Sequence, residues 1–405
     1  MRVLILNRYS DSFADYGRYL DHAAHRVSYV TVPAHLPMIP AGVGHVETVA
    51  SLDDQERVES AVSRCYRAAG PFEAVLALSE FDLLTAARVR ERFAVPGPDV
   101  RATLPVRDKT VMKEAVARAG LRVPRFTPVR TSADITAFAR SCAGPVVVKP
   151  RTGAASAGVR IIRSAHGDFE DYDDYEAHEA HEAHDDYEVE EFLDGPIWHV
   201  DGLRHRGATV FRLASRYLGT CHGFALGRPL GSVVVRDEEA GLIAGFADRC
   251  LDALGLSDGP FHLEVIQHAD GPAFLEVGAR VGGGEIPFVM DEVYGVDLVH
   301  EWIRVLLGEH PVGIPESGPD PETYAGFLML PEPRGHTLVS RTGMLGRIPH
   351  LYAEVLPAPG HRFDGTGGYD TILGRFRYRG PSAKDIEEAI AETIASYRYE
   401  LAGDR

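Results

Sequence analysis

The apolar positions of this chain change period several times, and those changes divide it into segments. In residues 1–98, strand-like runs (RVLILN, HRVSYVTV, FEAVLALS) precede a helix-like run, LLTAARVRERF, that ends at the turn AVPGP. Alternation of this kind predicts a parallel α/β sheet. Residues 107–124, RDKTVMKEAVARAGLRVP, predict a helix with Asp108 as N-cap and Gly120 as its stop. PVVVKPRTGAASAGVRII (145–162) predicts a strand, a small-residue loop and a second strand. YEVEEFLDGPIWHVDGL (187–203) predicts two strands broken at Asp194-Gly195-Pro196. TVFRLASRYL and GSVVVRDEE predict further strands, EAGLIAGFADRCLDALGL (239–256) an amphipathic helix, and VYGVDLVHEWIRVLLGEH another helix. Residues 320–405 add strand-like runs and a final helix, AKDIEEAIAETIASYRYEL.

The most informative pattern is in residues 261–287, FHLEVIQHADGPAFLEVGARVGGGEIP. Runs 261–268 and 273–280 flank Ala-Asp-Gly-Pro and predict a hairpin. Leu263, Val265, Leu275 and Val277 are expected on a core face, with His262, Glu264, Glu276 and Gly278 on the other. A three-residue loop sets Glu264 opposite Glu276. Like charges in that position repel, and a divalent cation between them removes the conflict. Arg280 and Gly282-Gly283-Gly284 follow, a guanidinium beside backbone that can cradle an anion. The alternative is an edge hairpin with two solvated glutamates and a flexible glycine linker.

Composition narrows the classes. The 405 residues carry a net charge of −17, which argues against nucleic acid as a partner. Residues 166–188 hold much of that charge, with eleven acidic side chains and no Lys or Arg, and read as a solvated insertion on a loop. Within it His178, His181 and His184 recur at helical spacing, a pattern that also suits an adventitious metal site. No run approaches the ~18 apolar residues of a membrane span, and the N-terminus reads as a strand rather than a signal peptide. Four scattered cysteines without a CxxC pair fit a reducing cytoplasm.

Four lysines stand against a chain that otherwise uses arginine: Lys109, Lys113, Lys149 and Lys384. Lys109 and Lys113 share a helix face, which calls for an anion nearby or a solvated basic patch. Lys149 ends an apolar strand before a Gly/Ser/Ala loop; Gly153 and Ser156 in that loop are candidates for phosphate contact. Ser79 and Glu80 end a strand, where α/β sheets bind ligands, although helix capping explains them equally.

In this order the segments RDKTVMKEA, VVVKPRTGAASAGV, VEEFLDGPIWHVDG, FHLEV and FLEVGARVGGGEIP resemble the ATP-grasp superfamily, and within it carboxylate–amine ligases of the L-amino-acid ligase type. The resemblance is clearest over residues 75–320. It implies a mixed α/β and α+β architecture in three parts. Residues 1–98 would be a Rossmann-like pre-ATP-grasp domain. Residues 99–310 would be the ATP-grasp domain, with a lid at about 140–218 that carries the acidic insertion. Residues 311–405 would be a C-terminal α+β extension packing on the core.

The resemblance also implies roles. Lys109, Lys149, Gly153 and Ser156 would contact ATP, and Glu190, Glu191, Phe192 and Leu193 would form the adenine hinge. Glu264 and Glu276 would bind Mg²⁺, with Mn²⁺ as a substitute. Arg280 and Gly283 would hold the acylating substrate. Two departures stand out. Gly278 occupies a position where many members carry a metal-binding Asn, and Ile197 stands near the usual ribose-binding acid, which leaves His199 or Asp201 as substitutes. The implied reaction joins a small carboxylic acid to an amine through an acyl phosphate. Aminoacylation of a carrier-protein thiol and non-catalytic nucleotide binding are the alternatives. A homodimer is a family expectation.

Overall fold

The computed structural model describes residues 1–9, 14–41, 43–163, 187–315, 318, 320–365, 369 and 371–403. β1 (Arg2–Asn7), β2 (Arg26–Thr31), β3 (His45–Thr48) and β4 (Ala74–Leu76) form a parallel sheet in the order β3-β2-β1-β4. Both faces are covered, which is why these strands read as nearly continuous apolar runs. Leu4, Leu6, Val30 and Val75 pack against the helices Gln55–Ala69 and Leu83–Phe93. Val3, Ile5, Tyr29 and Leu76 face the other way, into a core that includes Leu203, Met290 and Trp302 from the middle of the chain. The N-terminal sheet therefore shares a core with the central part of the chain.

A second sheet is small and antiparallel. β5 (Phe126–Val129), β6 (Val146–Pro150), β7 (Arg160–Ile162) and β8 (Tyr187–Glu191) stand in the order β5-β8-β6-β7. The helix Ser132–Ser141 covers it through Ile135, which packs with Val129, Val146, Val148 and Val189. This sheet spans residues 126–191, not the expected lid of 140–218. β9 (Ile197–His205) and β10 (Ala208–Leu218) belong instead to the large sheet. The three histidines at 178, 181 and 184 lie outside the described residues.

That large sheet also takes in β11 (Leu230–Val234), β12 (Gly259–His268), β13 (Gly271–Gly278) and β14 (Tyr324–Leu330). After β15 (His336–Arg341) come β16 (Leu351–Val355), β17 (Arg362–Phe363), β18 (Gly374–Gly380) and β19 (Tyr399–Gly403). The eight-stranded order is β13-β12-β9-β10-β11-β14-β18-β16, with antiparallel neighbours. Residues 311–405 thus contribute three strands to the main sheet rather than packing on it as an extension. The helix Glu238–Leu254 covers the end that holds the β12–β13 hairpin, and the helix Ala383–Ser396 covers β11, β14 and β18.

Two helix expectations are corrected. The run VYGVDLVHEW is split: one helix, Ile286–Tyr294, ends at Gly295 in the left-handed region, and another, Leu298–Leu306, starts at the Asp297 cap. The last helix stops at Ser396, and Tyr399–Gly403 pairs as a strand with β15. Among the described residues no helix is long and apolar enough to cross a membrane.

Candidate active site

The β12–β13 hairpin sets Glu264 directly opposite Glu276. The expected pairing holds, but its cause differs from the expected three-residue loop. Only Ala269 and Asp270 separate the strands, and the register then shifts between Glu264 and Val265. The bulge places Phe274 in the core beside Leu263, Val265 and Val277. It turns Leu275, expected in that core, into the wall of a cleft beside Glu276.

The cleft measures about 560 Å³ and lies between the small sheet and the hairpin. Lys109 starts the helix Lys109–Arg118, whose cap Asp108 accepts hydrogen bonds from the N–H groups of Thr110 and Val111. Lys109 Nζ stands 3.2 Å from the Glu276 carboxylate and donates to Gly153 O at 2.7 Å. Burial pushes the Glu276 carboxyl up, but the Lys109 and Lys149 ammonium groups outweigh it and hold it at about 2. The loop after β6 is tied to the same helix start: Lys109 N donates to Arg151 O at 2.9 Å and Arg107 Nη2 to Thr152 O at 2.5 Å. Further along it, Ala155 and Ser156 take positive φ, a backbone turn at the cleft wall.

Behind the cleft floor lies a buried charge cluster. Glu188 and Glu190 share one face of β8, and Lys149 stands opposite Glu188 on β6. Lys113 ion-pairs with both glutamates, and Lys149 Nζ lies 2.6 Å from Glu190. Two cations thus match two anions, and Thr110 Oγ1 adds a hydrogen bond to Glu188 at 3.2 Å. Burial opposes the Glu190 charge, yet Lys113 and Lys149 keep its carboxyl below the usual range. Burial likewise opposes the Lys149 charge, and Glu190, Glu188 and Glu276 more than offset it, so Lys149 stays protonated.

Glu264 is held from the other side by a buried chain. Ser232 Oγ lies 2.7 Å from His199 Nε2, and His199 Nδ1 donates to Asp201 at 2.5 Å. Asp201 also accepts from His262 Nδ1 at 2.8 Å, and His262 Nε2 faces Glu264 Oε1 at 3.5 Å. Burial pulls the His262 pKa down, but Asp201 and then Glu264 raise it to about 10. The ring is therefore an imidazolium at neutral pH, with an N–H aimed at each carboxylate. Cys221 Sγ, 3.8 Å from Glu264, stays a thiol because burial and Glu264 both raise its pKa.

Residues 142–287 match the ATP-grasp domain family. That segment resembles an ATP-grasp domain. The chain is 24% identical over 290 residues to the L-arginine-specific L-amino acid ligase of Bacillus subtilis, covering 70% of each chain. It is 28% identical over 240 residues to an uncharacterised protein of Sinorhizobium fredii, covering 58% of this chain and 49% of that one, so it spans about half that relative's length. Its fold matches the L-amino acid ligase of Bacillus licheniformis with a TM-score of 0.77 over 98% of both chains, at 19% identity.

Lys109, Lys149, Gly153, Ser156, Glu190, Glu191, Phe192, Leu193, Glu264 and Glu276 all border this cleft. Not all are free to face a ligand. Glu190 is turned into the charge cluster, Glu191 pairs with Arg125 at 3.2 Å, and Phe192 N donates to Pro145 O. Arg280 and Gly283 are not among the cleft's lining residues. Arg280 Nε donates to Glu80 Oε2 at 2.7 Å, and Gly283 sits beside Tyr369. Glu80 is thus neither a free ligand group nor a cap; it joins Arg280 and Arg107. His199 and Asp201, the expected substitutes for a ribose-binding acid, are buried and committed to each other.

The Gly278 departure has a steric reason. A Cβ there would stand 3.2 Å from Glu80 Oε2 and 3.2 Å from Arg280 Cγ. The Glu80–Arg280 pair takes the space that a larger side chain would need. The Lys113–Glu188 pairing was not read from sequence, although the alternation Glu188-x-Glu190 and the rarity of lysine both pointed toward it.

The two glutamates suit a divalent cation. They are opposed hard-oxygen donors, one facing the Lys109 and Lys149 ammonium groups and the other flanked by an imidazolium and a neutral thiol.

Proposed function

We propose that the protein is an ATP-dependent ligase that joins a small carboxylic acid, such as an amino acid, to an amine and releases ADP and phosphate. The observation that carries this reading is the meeting, at one cleft, of opposed Glu264 and Glu276 with Lys109 and Lys149. The similarity to a named amino acid ligase supports it.

Glu264 and Glu276 would hold the divalent cation, Mg²⁺ or Mn²⁺, which when bound neutralises phosphate charge during phosphoryl transfer. Lys109 and Lys149 add fixed positive charge at the cleft, and the N–H groups of the 151–158 loop offer donors to phosphate oxygens. A substrate carboxylate oxygen attacks the γ-phosphorus, the bond to the β-phosphate oxygen breaks, and ADP leaves with that electron pair. The amine nitrogen then attacks the acyl carbon, phosphate departs, and the amine loses a proton. Arg280 orients the carboxyl group in both halves, with Glu80 fixing the guanidinium plane.

The test is release of ADP and phosphate from Mg-ATP across a matrix of amino acids supplied singly and in pairs, with mass spectrometry of the products. ADP and phosphate formed only with certain pairs, with a product lighter than their sum by one water, is the expected result. AMP and pyrophosphate would overturn the acyl-phosphate route. A full matrix without turnover, but with a loaded carrier thiol, would replace the amine by that thiol.

A further inference from the structure

A second cavity, about 550 Å³, lies between the N-terminal sheet and the large sheet and shares no lining residue with the active-site cleft. Its walls are mostly apolar, with Ala77, Leu83, Trp302 and Leu306 among them. The polar groups in the wall include His205, Arg206 and Asp258, and the deeply buried Arg90. Arg90, on the helix Leu83–Phe93, is 6% exposed and borders the cavity. Its guanidinium donates to two backbone carbonyls, Val75 O at 2.8 Å and Pro98 O at 3.3 Å. Among the described residues no carboxylate forms an ion pair with it. The nearby Asp258 accepts from Arg206 N at 2.9 Å and faces His205 at 3.1 Å. Burial with no anion to offset it pulls the Arg90 pKa down to about 10.

A buried cation normally has a carboxylate or phosphate beside it, because desolvation is otherwise uncompensated. Gly97 brings its backbone flush against the guanidinium: a Cβ there would stand 2.9 Å from Arg90 Nε. At φ +128 and this close to Arg90, the position leaves no room for a side chain without displacing the guanidinium. We propose that this inter-sheet cavity is a second ligand site, which takes a small carboxylate with an apolar body, its carboxylate on Arg90 and its body against Trp302 and Leu306. The site abuts the catalytic residues without containing them, since Ala279 in its wall immediately precedes Arg280.

Trp302 and Trp198 are the chain's two tryptophans, and Trp198 lies in another core, so the indole N–H resonances report on location. The probe is 3-phenylpropionate, with 3-phenylpropionamide as its uncharged match, titrated into ¹⁵N-labelled protein saturated with a non-hydrolysable ATP analogue. The Trp302 signal, assigned with Trp198→Phe, is expected to shift and saturate with the acid, with the amide at least tenfold weaker. Arg90→Gln should abolish that preference, and Leu306→Trp, which fills the cavity, should weaken both probes at least tenfold. Equal affinity for acid and amide, a shift of Trp198 alone, or unchanged binding in Leu306→Trp would overturn the proposal. The last two readouts stand even if Arg90→Gln fails to fold.

Discussion

Arg280 Nε donates to Glu80 Oε2 at 2.7 Å, joining the chain just after the β12–β13 hairpin to the chain just after β4 across 200 positions of sequence. Arg107 Nη1 reaches the same carboxylate at 2.9 Å, so one buried anion serves two guanidinium groups, one buried and one partly buried. Replacing Glu80 by Gln leaves both cations short of a partner. Stability should fall by about 3 kcal/mol, the usual cost of breaking a buried pair from one side. KM for the acid substrate should rise more than KM for ATP. Urea denaturation and initial rates check this, and equal rises in the two KM values would separate Arg280 from the acid.

Glu276 is the better-defined metal candidate, because the lysine ammonium groups keep it ionised far below neutral pH. Glu276→Gln should weaken Mn²⁺ binding in the presence of ADP by about tenfold to hundredfold, comparable to losses from damaged metal sites. Electron paramagnetic resonance counts free Mn²⁺ without any need for turnover. Unchanged binding would remove Glu276 from the ligand set.

Lys113 tests the charge cluster. It is fully buried between Glu188 and Glu190, and Lys113→Met leaves two buried carboxylates with Lys149 alone. A loss of about 3–5 kcal/mol is expected. Adding Glu188→Leu, which restores the match of one cation to one anion, should recover part of it. Thermal and urea unfolding of the single and double variants decide the point.

The same cluster predicts an acid limb. The Glu190 carboxyl is lower in the folded protein than in the unfolded chain, so the folded state binds fewer protons. Its contribution is complete above the unfolded value of about 4.3 and is lost as pH falls through the folded one. The urea midpoint of the wild type should therefore drop between pH 6 and pH 3 by more than that of Glu190→Gln. Parallel curves would show that Glu190 carries no linked proton.

Asp201 holds two imidazole rings, at 2.5 Å and 2.8 Å, and through His262 it sets the orientation beside Glu264. Asp201→Asn presents an amide N–H to one of two N–H donors. Stability should fall by about 2–4 kcal/mol. Mn²⁺ affinity should fall about tenfold while the KM for the acid stays within twofold. Gly282 is tied to the same point, since a Cβ there would stand 2.5 Å from Asp201 Oδ1.

Much of the fold could be read in the chain because its signals are local. Asp108 before Lys109 marked a helix start, and Ala-Asp-Gly-Pro marked the hairpin. Strand alternation brought Glu264 and Glu276 to one place even though a bulge, not a longer loop, aligned them. The lid boundary was misplaced for the opposite reason. The strands 187–191 and 197–205 look alike in sequence, yet one pairs with β5 and β6 and the other with β10 and β12. Pairing partners are chosen by distant segments and leave no mark on the strand itself.

Local pattern alone set the elements, the spacing of the two glutamates and the rarity of lysine, and motif order carried the resemblance to a superfamily. Each depends on a few neighbouring residues and on backbone geometry. Packing settled which charges are spent on one another: Lys113 with Glu188 and Glu190, Glu80 with Arg280 and Arg107, Asp201 with two histidines. A buried charge must find its partner wherever the folded chain brings one within about 3 Å, and that proximity comes from packing rather than from spacing along the sequence.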